Sequence, residues 1–122
     1  MFRLAGPLGS SHNAVRKVFE EFAGRLTTSN FIFDETISLC LYRLGHDAAQ
    51  KVGSVLLDAG TVDLIRVTPD DEQTAWKLFC KRPEQRYSLT DCTSFVLMRR
   101  LGITTAAAFD EDFRAEGFLV VP

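Results

Sequence analysis

The feature that most restricts this chain is a repeated switch from a short apolar run to a strongly signalled helix start. Val62 to Val67 alternates and is rich in β-branched residues, which predicts a strand. Thr68-Pro69-Asp70-Asp71-Glu72 comes at once, with proline at the first helical position and acids facing the positive end of the helix dipole. The same switch recurs at Leu26 to Thr28 before Ser29 and Asn30, and at Thr104 to Phe109 before Asp110. Between these units lie helical patterns: Ala14 to Phe22 after Ser10 or Ser11, Phe31 to Tyr42 closed by Gly45, Ala48 to Leu57 opened by His46-Asp47, Ala75 to Cys80 stopped before Pro83, and Leu89 to Met98 closed by Gly102. Phe118 to Val121 reads as a last strand. The order is helix, strand, two helices, strand, two helices, strand, short helix, strand, and it predicts an α/β fold with a mostly parallel sheet flanked by helices. In such sheets ligands bind outside the carboxyl ends of the strands.

Three acids fall near that edge. Glu35 lies in the helix after the first strand, Asp110 directly follows a strand, and Asp91 opens a helix. Ser88 can cap that helix, and Asp91, three residues on, stands where a capping box puts its acid. Asp91 therefore has two readings, a plain cap or a member of a site. Clustered carboxylates repel unless a cation joins them, and Mg²⁺ or Mn²⁺ fits because a hard ion prefers oxygen ligands. The implied chemistry is metal-assisted phosphoryl transfer. No phosphate-binding glycine loop, histidine pair or Ser/His arrangement competes with it.

Composition bounds the rest. With 122 residues the chain is expected to form one domain, 1–122, and 46% apolar residues suffice for a core. A formal charge of −2 announces no nucleic-acid binder, so bound phosphates would have to meet local arginines. Cys40, Cys80 and Cys92 are odd in number and set in apolar helical patterns, which reads as reduced core thiols in a cytoplasmic protein. No apolar run approaches the roughly 18 residues of a membrane span, and Met1 to Asn13 lacks a signal peptide's apolar core.

The runs Thr27 to Thr36, Ser88 to Ile103, Phe109-Asp110-Glu111-Asp112-Phe113 and Gly117-Phe118 together resemble the PIN-domain family, and most of all its VapC-type ribonuclease toxins. The resemblance covers nearly the whole chain. It implies a three-layer α/β/α fold, Mg²⁺- or Mn²⁺-dependent RNA cleavage, homodimers, and an antitoxin partner that lays a helix and an extended tail over the toxin. Glu35, Asp91 and Asp110 match the family's metal-binding acids and Asp112 an accessory acid. The family also begins with an apolar strand that ends in a metal-binding Asp, whereas no acid precedes Glu20 here. Phe2 to Ala5 resemble the segment just beyond that strand, so the expectation is either a start placed late or a module with impaired catalysis that binds RNA or an antitoxin-like protein without cutting.

Lesser candidates carry paired readings. Asp34 neighbours Glu35, but adjacent helical residues point about 100° apart, and the family pattern selects Glu35. Ser94, one turn after Asp91 and beside Thr90, either orients the carboxylate or a water, or bonds back to a carbonyl of its own helix. Arg82, Arg86, Arg99 and Arg100 either meet RNA phosphates or are simply solvated. His12 and His46 read as helix-start residues. The apolar helices Phe31 to Tyr42 and Ala48 to Leu57 either form a partner groove or pack into the core.

Overall fold

Each strand feeds a helix through a cap that the local sequence supplies. β1 (Leu26–Ser29) runs straight into α1 (Asn30–Leu44), and Ser29 Oγ accepts the Ile32 N–H at 3.1 Å. Gly45 ends α1 at φ 97°, ψ 174°, a conformation essentially reserved for glycine, and α2 (His46–Leu56) starts directly after it as an antiparallel hairpin. β2 (Val62–Ile65) pairs parallel with β1, Leu26 opposite Val62 and Ser29 opposite Ile65. Thr68 caps α3 (Pro69–Lys81): its Oγ1 accepts the Asp71 N–H at 3.1 Å while Asp71 Oδ2 accepts the Thr68 N–H at 3.0 Å. α4 (Leu89–Leu101) closes at Gly102 with φ 71°. β3 (Thr105–Ala107), α5 (Asp112–Ala115) and β4 (Leu119–Val121) complete the chain, with β3 and β4 parallel and Thr105 opposite Leu119. The computed structural model describes residues 26–60, 62–107 and 111–121. The first expected helix, with His12, and Asp110 lie outside them.

The layers follow from β3. Successive strand residues point to opposite faces. Ala106 joins the core built by Ala75, Cys92, Phe95 and Met98 of α3 and α4, whereas Ala107 joins Leu26, Cys40, Ala49 and Leu56 on the side of α1 and α2. Strands thus lie between two helical layers, the α/β/α arrangement. Among the described residues the strands form two parallel pairs rather than one continuous ladder. Phe95 organises the first core: its ring meets Tyr87 and Phe113 edge-on at 5.0 Å each and stacks on Phe118 at 5.9 Å. Such aromatic pairs contribute about 1 kcal/mol each beyond area burial.

Several expectations change. The second strand stops at Ile65 because the Val67 N–H donates to Asn30 Oδ1 at 2.7 Å, a side chain at the start of α1, instead of joining a ladder. The last short helix begins at Asp112, with Glu111 before it making no side-chain cap bond. Cys40 and Cys92 are buried, but Cys80 is exposed, so it is no core thiol. Trp76 and Phe79 of α3 are also exposed, stacked on each other at 5.5 Å. Conversely Tyr87, in the basic loop after Pro83, is buried. The end of α1 leaves Leu41, Tyr42 and Leu44 exposed, Tyr42 to 92%. Among the described residues no helix is long and apolar enough to cross a membrane.

Candidate active site

Asp91 is the third residue of α4, and only 2% of its surface is exposed. The capping box forms as the spacing requires: Ser88 Oγ accepts the Asp91 N–H at 3.0 Å, and Asp91 Oδ2 accepts the Ser88 N–H at 3.2 Å. The box uses Oδ2, and the second oxygen, Oδ1, is buried as well. The first turns of α4 bury the hydroxyl residues Thr93 and Ser94 alongside Cys92 and Phe95. Thr93 Oγ1 and Ser94 Oγ both donate to the Thr90 carbonyl, at 2.6 and 3.2 Å. Ser94 thus makes the back-bond of its second reading, and its hydroxyl oxygen still has lone pairs to offer. The neighbouring Cys92 is no thiolate: burial first, then the charges of Asp91 and Glu116, push its thiol up to about 11.

α4 packs against α1, the helix that carries Glu35. Glu35 is half-buried and Asp34 exposed, so the two neighbours divide as the 100° helical step requires. Thr28 and Ser29 at the end of β1 and Thr36 in α1 are fully buried hydroxyl residues. Asp112, half-buried, opens α5, and its charge reaches Tyr87. Asp110 lies outside the described residues. Among the described residues no three of His, Cys, Asp and Glu come together to hold a metal, so Glu35, Asp91 and Asp112 do not form such a group by themselves. The donors on offer are carboxylates and hydroxyls beside a protonated thiol, and that all-oxygen set fits a hard divalent ion rather than zinc.

The four arginines differ in their surroundings. Arg100 forks onto Asp71, Nε to Oδ1 at 3.0 Å and Nη2 to Oδ2 at 2.9 Å, clasping the start of α3 to the end of α4. Burial acts to raise Asp71, but the Thr68 N–H and the Arg100 guanidinium outweigh it and hold the carboxyl below its ordinary value. Arg82 and Arg99 share Glu116, a residue the sequence did not single out. Arg82 Nε lies 3.2 Å from Glu116 Oε2, and Arg99 Nη2 lies 3.0 Å from both Oε1 and the Glu116 carbonyl. Tyr87 donates its hydroxyl to the same carboxylate at 3.1 Å. Burial would raise Glu116, yet the bonds from Arg99, Tyr87 and Arg82 lower it. Arg86 is exposed, with φ 59°. The only sequence hint of Glu116 was its place beside Gly117-Phe118.

Comparison with known proteins agrees with this architecture. Residues 8–119 match the model of the PIN domain. The 23S rRNA-specific endonuclease VapC20 of Mycobacterium tuberculosis, from strains CDC 1551 / Oshkosh and H37Rv, is 37% identical over 110 residues, which span 90% of this chain and 83% of that protein. The crystal structure of VapC20, described as a sarcin-ricin loop cleaving toxin, superposes with a TM-score of 0.82 at 36% identity, covering 89% of this chain and 83% of the other. With residues 8–119 matching the family's model and the backbone of VapC20 reproduced over 89% of the chain, the chain belongs to the PIN-domain family and is VapC-like.

Proposed function

We propose that this chain is a single-domain, metal-dependent endoribonuclease of the VapC toxin type that cleaves RNA phosphodiester bonds in the cytoplasm. The observation that carries the reading is Asp91: a carboxylate at a helix N-terminus, 2% exposed, followed by the buried hydroxyl residues Thr93 and Ser94, on a helix packed against the one bearing Glu35. Its family adds support, since VapC20 is a 23S rRNA-specific endonuclease. The sarcin-ricin loop is therefore the first substrate to test. Asp91 and Glu35, with Asp110 and the accessory Asp112, are the residues that would hold Mg²⁺ or Mn²⁺. When bound, the ion supplies charge neutralisation at the scissile phosphate and acidifies a water.

The protein's own part is positional. The capping box fixes Asp91 through two backbone N–H groups. The Phe95 cluster beneath α4 anchors the helix that presents it. Ser94 Oγ, its proton committed to Thr90, can accept a hydrogen bond from a water beside Asp91. Homodimers and an antitoxin are the partners that the family implies, and the exposed Leu41, Tyr42 and Leu44 at the end of α1 are apolar surface available to one. The test is incubation with a sarcin-ricin hairpin and an unrelated RNA, with Mg²⁺, Mn²⁺ or chelator. Metal-dependent cutting that Asp91→Asn removes supports the proposal. Binding without cutting by the wild-type chain supports the impaired module instead.

A further inference from the structure

The two arginines on Glu116 are built differently from the other ion pairs. Arg100 and Asp71 cancel one for one in a bidentate fork. At Glu116 two guanidiniums face one carboxylate, with the charge of Asp112 also reaching Tyr87 in the same cluster. The carboxylate is turned inward, 5% exposed, while Arg82 and Arg99 remain 39% and 48% exposed. Tyr87 adds no negative charge, because burial and Glu116 push its hydroxyl up to about 12. Arg99 is further fixed by the Phe118 ring, 5.3 Å below its guanidinium carbon. The N–H groups that Arg82 and Arg99 do not direct at Glu116 take no acceptor among the described residues. Held, half-exposed guanidiniums with donors to offer match a phosphate group, whose oxygens accept such forks.

We infer that Arg82 and Arg99, set side by side on Glu116, seat a phosphodiester of the RNA strand away from the scissile bond. Arg99 stands eight residues after Asp91, about 12 Å along α4 at the helical rise of about 1.5 Å per residue, so the seat takes a flanking phosphate. Exposed Lys81 ends α3 next to Arg82 in sequence, and exposed Arg86 follows on the loop. This inference rests on the nuclease reading, since an acidic protein surface would satisfy the same donors.

Binding of labelled sarcin-ricin hairpin and of an unrelated single-stranded RNA to the full chain, measured by fluorescence anisotropy in chelator across a salt series, tests it. Arg82→Gln leaves Glu116 with Arg99 and Tyr87 and so keeps the fold, which its melting curve checks. It should weaken both RNAs alike, about three- to five-fold, and lower the salt slope by about 0.7, the value for one phosphate contact on a single strand. Arg99→Gln should do the same, whereas Lys51→Gln, which removes an exposed charge on α2, should leave the slope in place. Wild-type protein that cuts RNA while Arg82→Gln binds with unchanged affinity and slope overturns the seat alone. Loss of affinity for an acidic protein partner with RNA binding intact overturns it in favour of that partner. Wild-type protein that neither binds nor cuts RNA overturns both this seat and the nuclease reading.

Discussion

Replacing Asp91 by Asn separates a helix cap from a metal ligand. The amide oxygen of Asn can still accept the Ser88 N–H, so the capping geometry survives. What the fold loses is a negative charge at the helix N-terminus, about 0.3–1 kcal/mol, and it gains relief from burying a carboxylate that is 2% exposed. In chelator the variant should therefore melt within about 1 kcal/mol of the wild type. Metal changes the comparison. An ion at ten times its dissociation constant stabilises the folded state by about 1.4 kcal/mol, which at this chain length is roughly 4–8 °C in Tm. Wild type should show that shift with Mn²⁺, and Asp91→Asn should lose it together with about 100-fold or more of RNA cleavage. Thermal melts with and without Mn²⁺, alongside cleavage assays, read both. A variant that keeps the Mn²⁺ shift, or goes on cutting, refutes Asp91 as a ligand and returns it to a cap.

Other outcomes rest on the same geometry. Arg100→Met should cost about 1–2 kcal/mol in urea denaturation at neutral pH, because Asp71 is left buried without its fork while half of the arginine faced solvent. Asp71 and Glu116 both have lowered folded values, so their contribution is complete above the ordinary carboxylate range and is lost as pH falls through those lowered values. The Arg100→Met protein should show a flatter acid limb. Gly45→Ala should destabilise by about 1–3 kcal/mol, since φ 97° with ψ 174° is closed to a Cβ even though nothing lies within 4 Å of it; an unchanged midpoint would show that the α1–α2 corner relaxes freely. Tyr87→Phe should abolish a tyrosinate absorbance step near pH 12. In the parent, the stability from the neutral hydroxyl is full below its unfolded value near 10 and is lost as pH rises to about 12.

Those features that could be read from the sequence are the ones whose causes lie within a turn of chain. Ser29, Thr68 and Ser88 cap as expected, and Gly45 and Gly102 close their helices, because an N-cap oxygen meets an N–H three residues away whatever the rest of the fold does. Parallel pairing was likewise legible, since each strand runs into a helix and cannot turn back as a hairpin. Asp91 was legible as the acid of the Ser88 capping box, whereas the placement of Asp110 lies outside the described residues.

Tertiary contact decided what local chemistry leaves open. The end of β2 is set by Asn30, 37 residues from Val67, and no pattern within Val62 to Val67 contains that partner. Trp76, Phe79 and Cys80 share the apolar look of Ala75, yet they are exposed while Ala75 is buried on a helix packed against α4. Tyr87 reads as an exposed loop residue until Phe95 and Glu116 enclose it. Glu116 is the sharpest case: one acid in a short helix's wake acquires three partners, 17 to 34 residues distant, because the chain's return to β4 carries it past α4. Periodicity reports which side chains share a face; only the packed chain brings two arginines and a tyrosine onto one carboxylate.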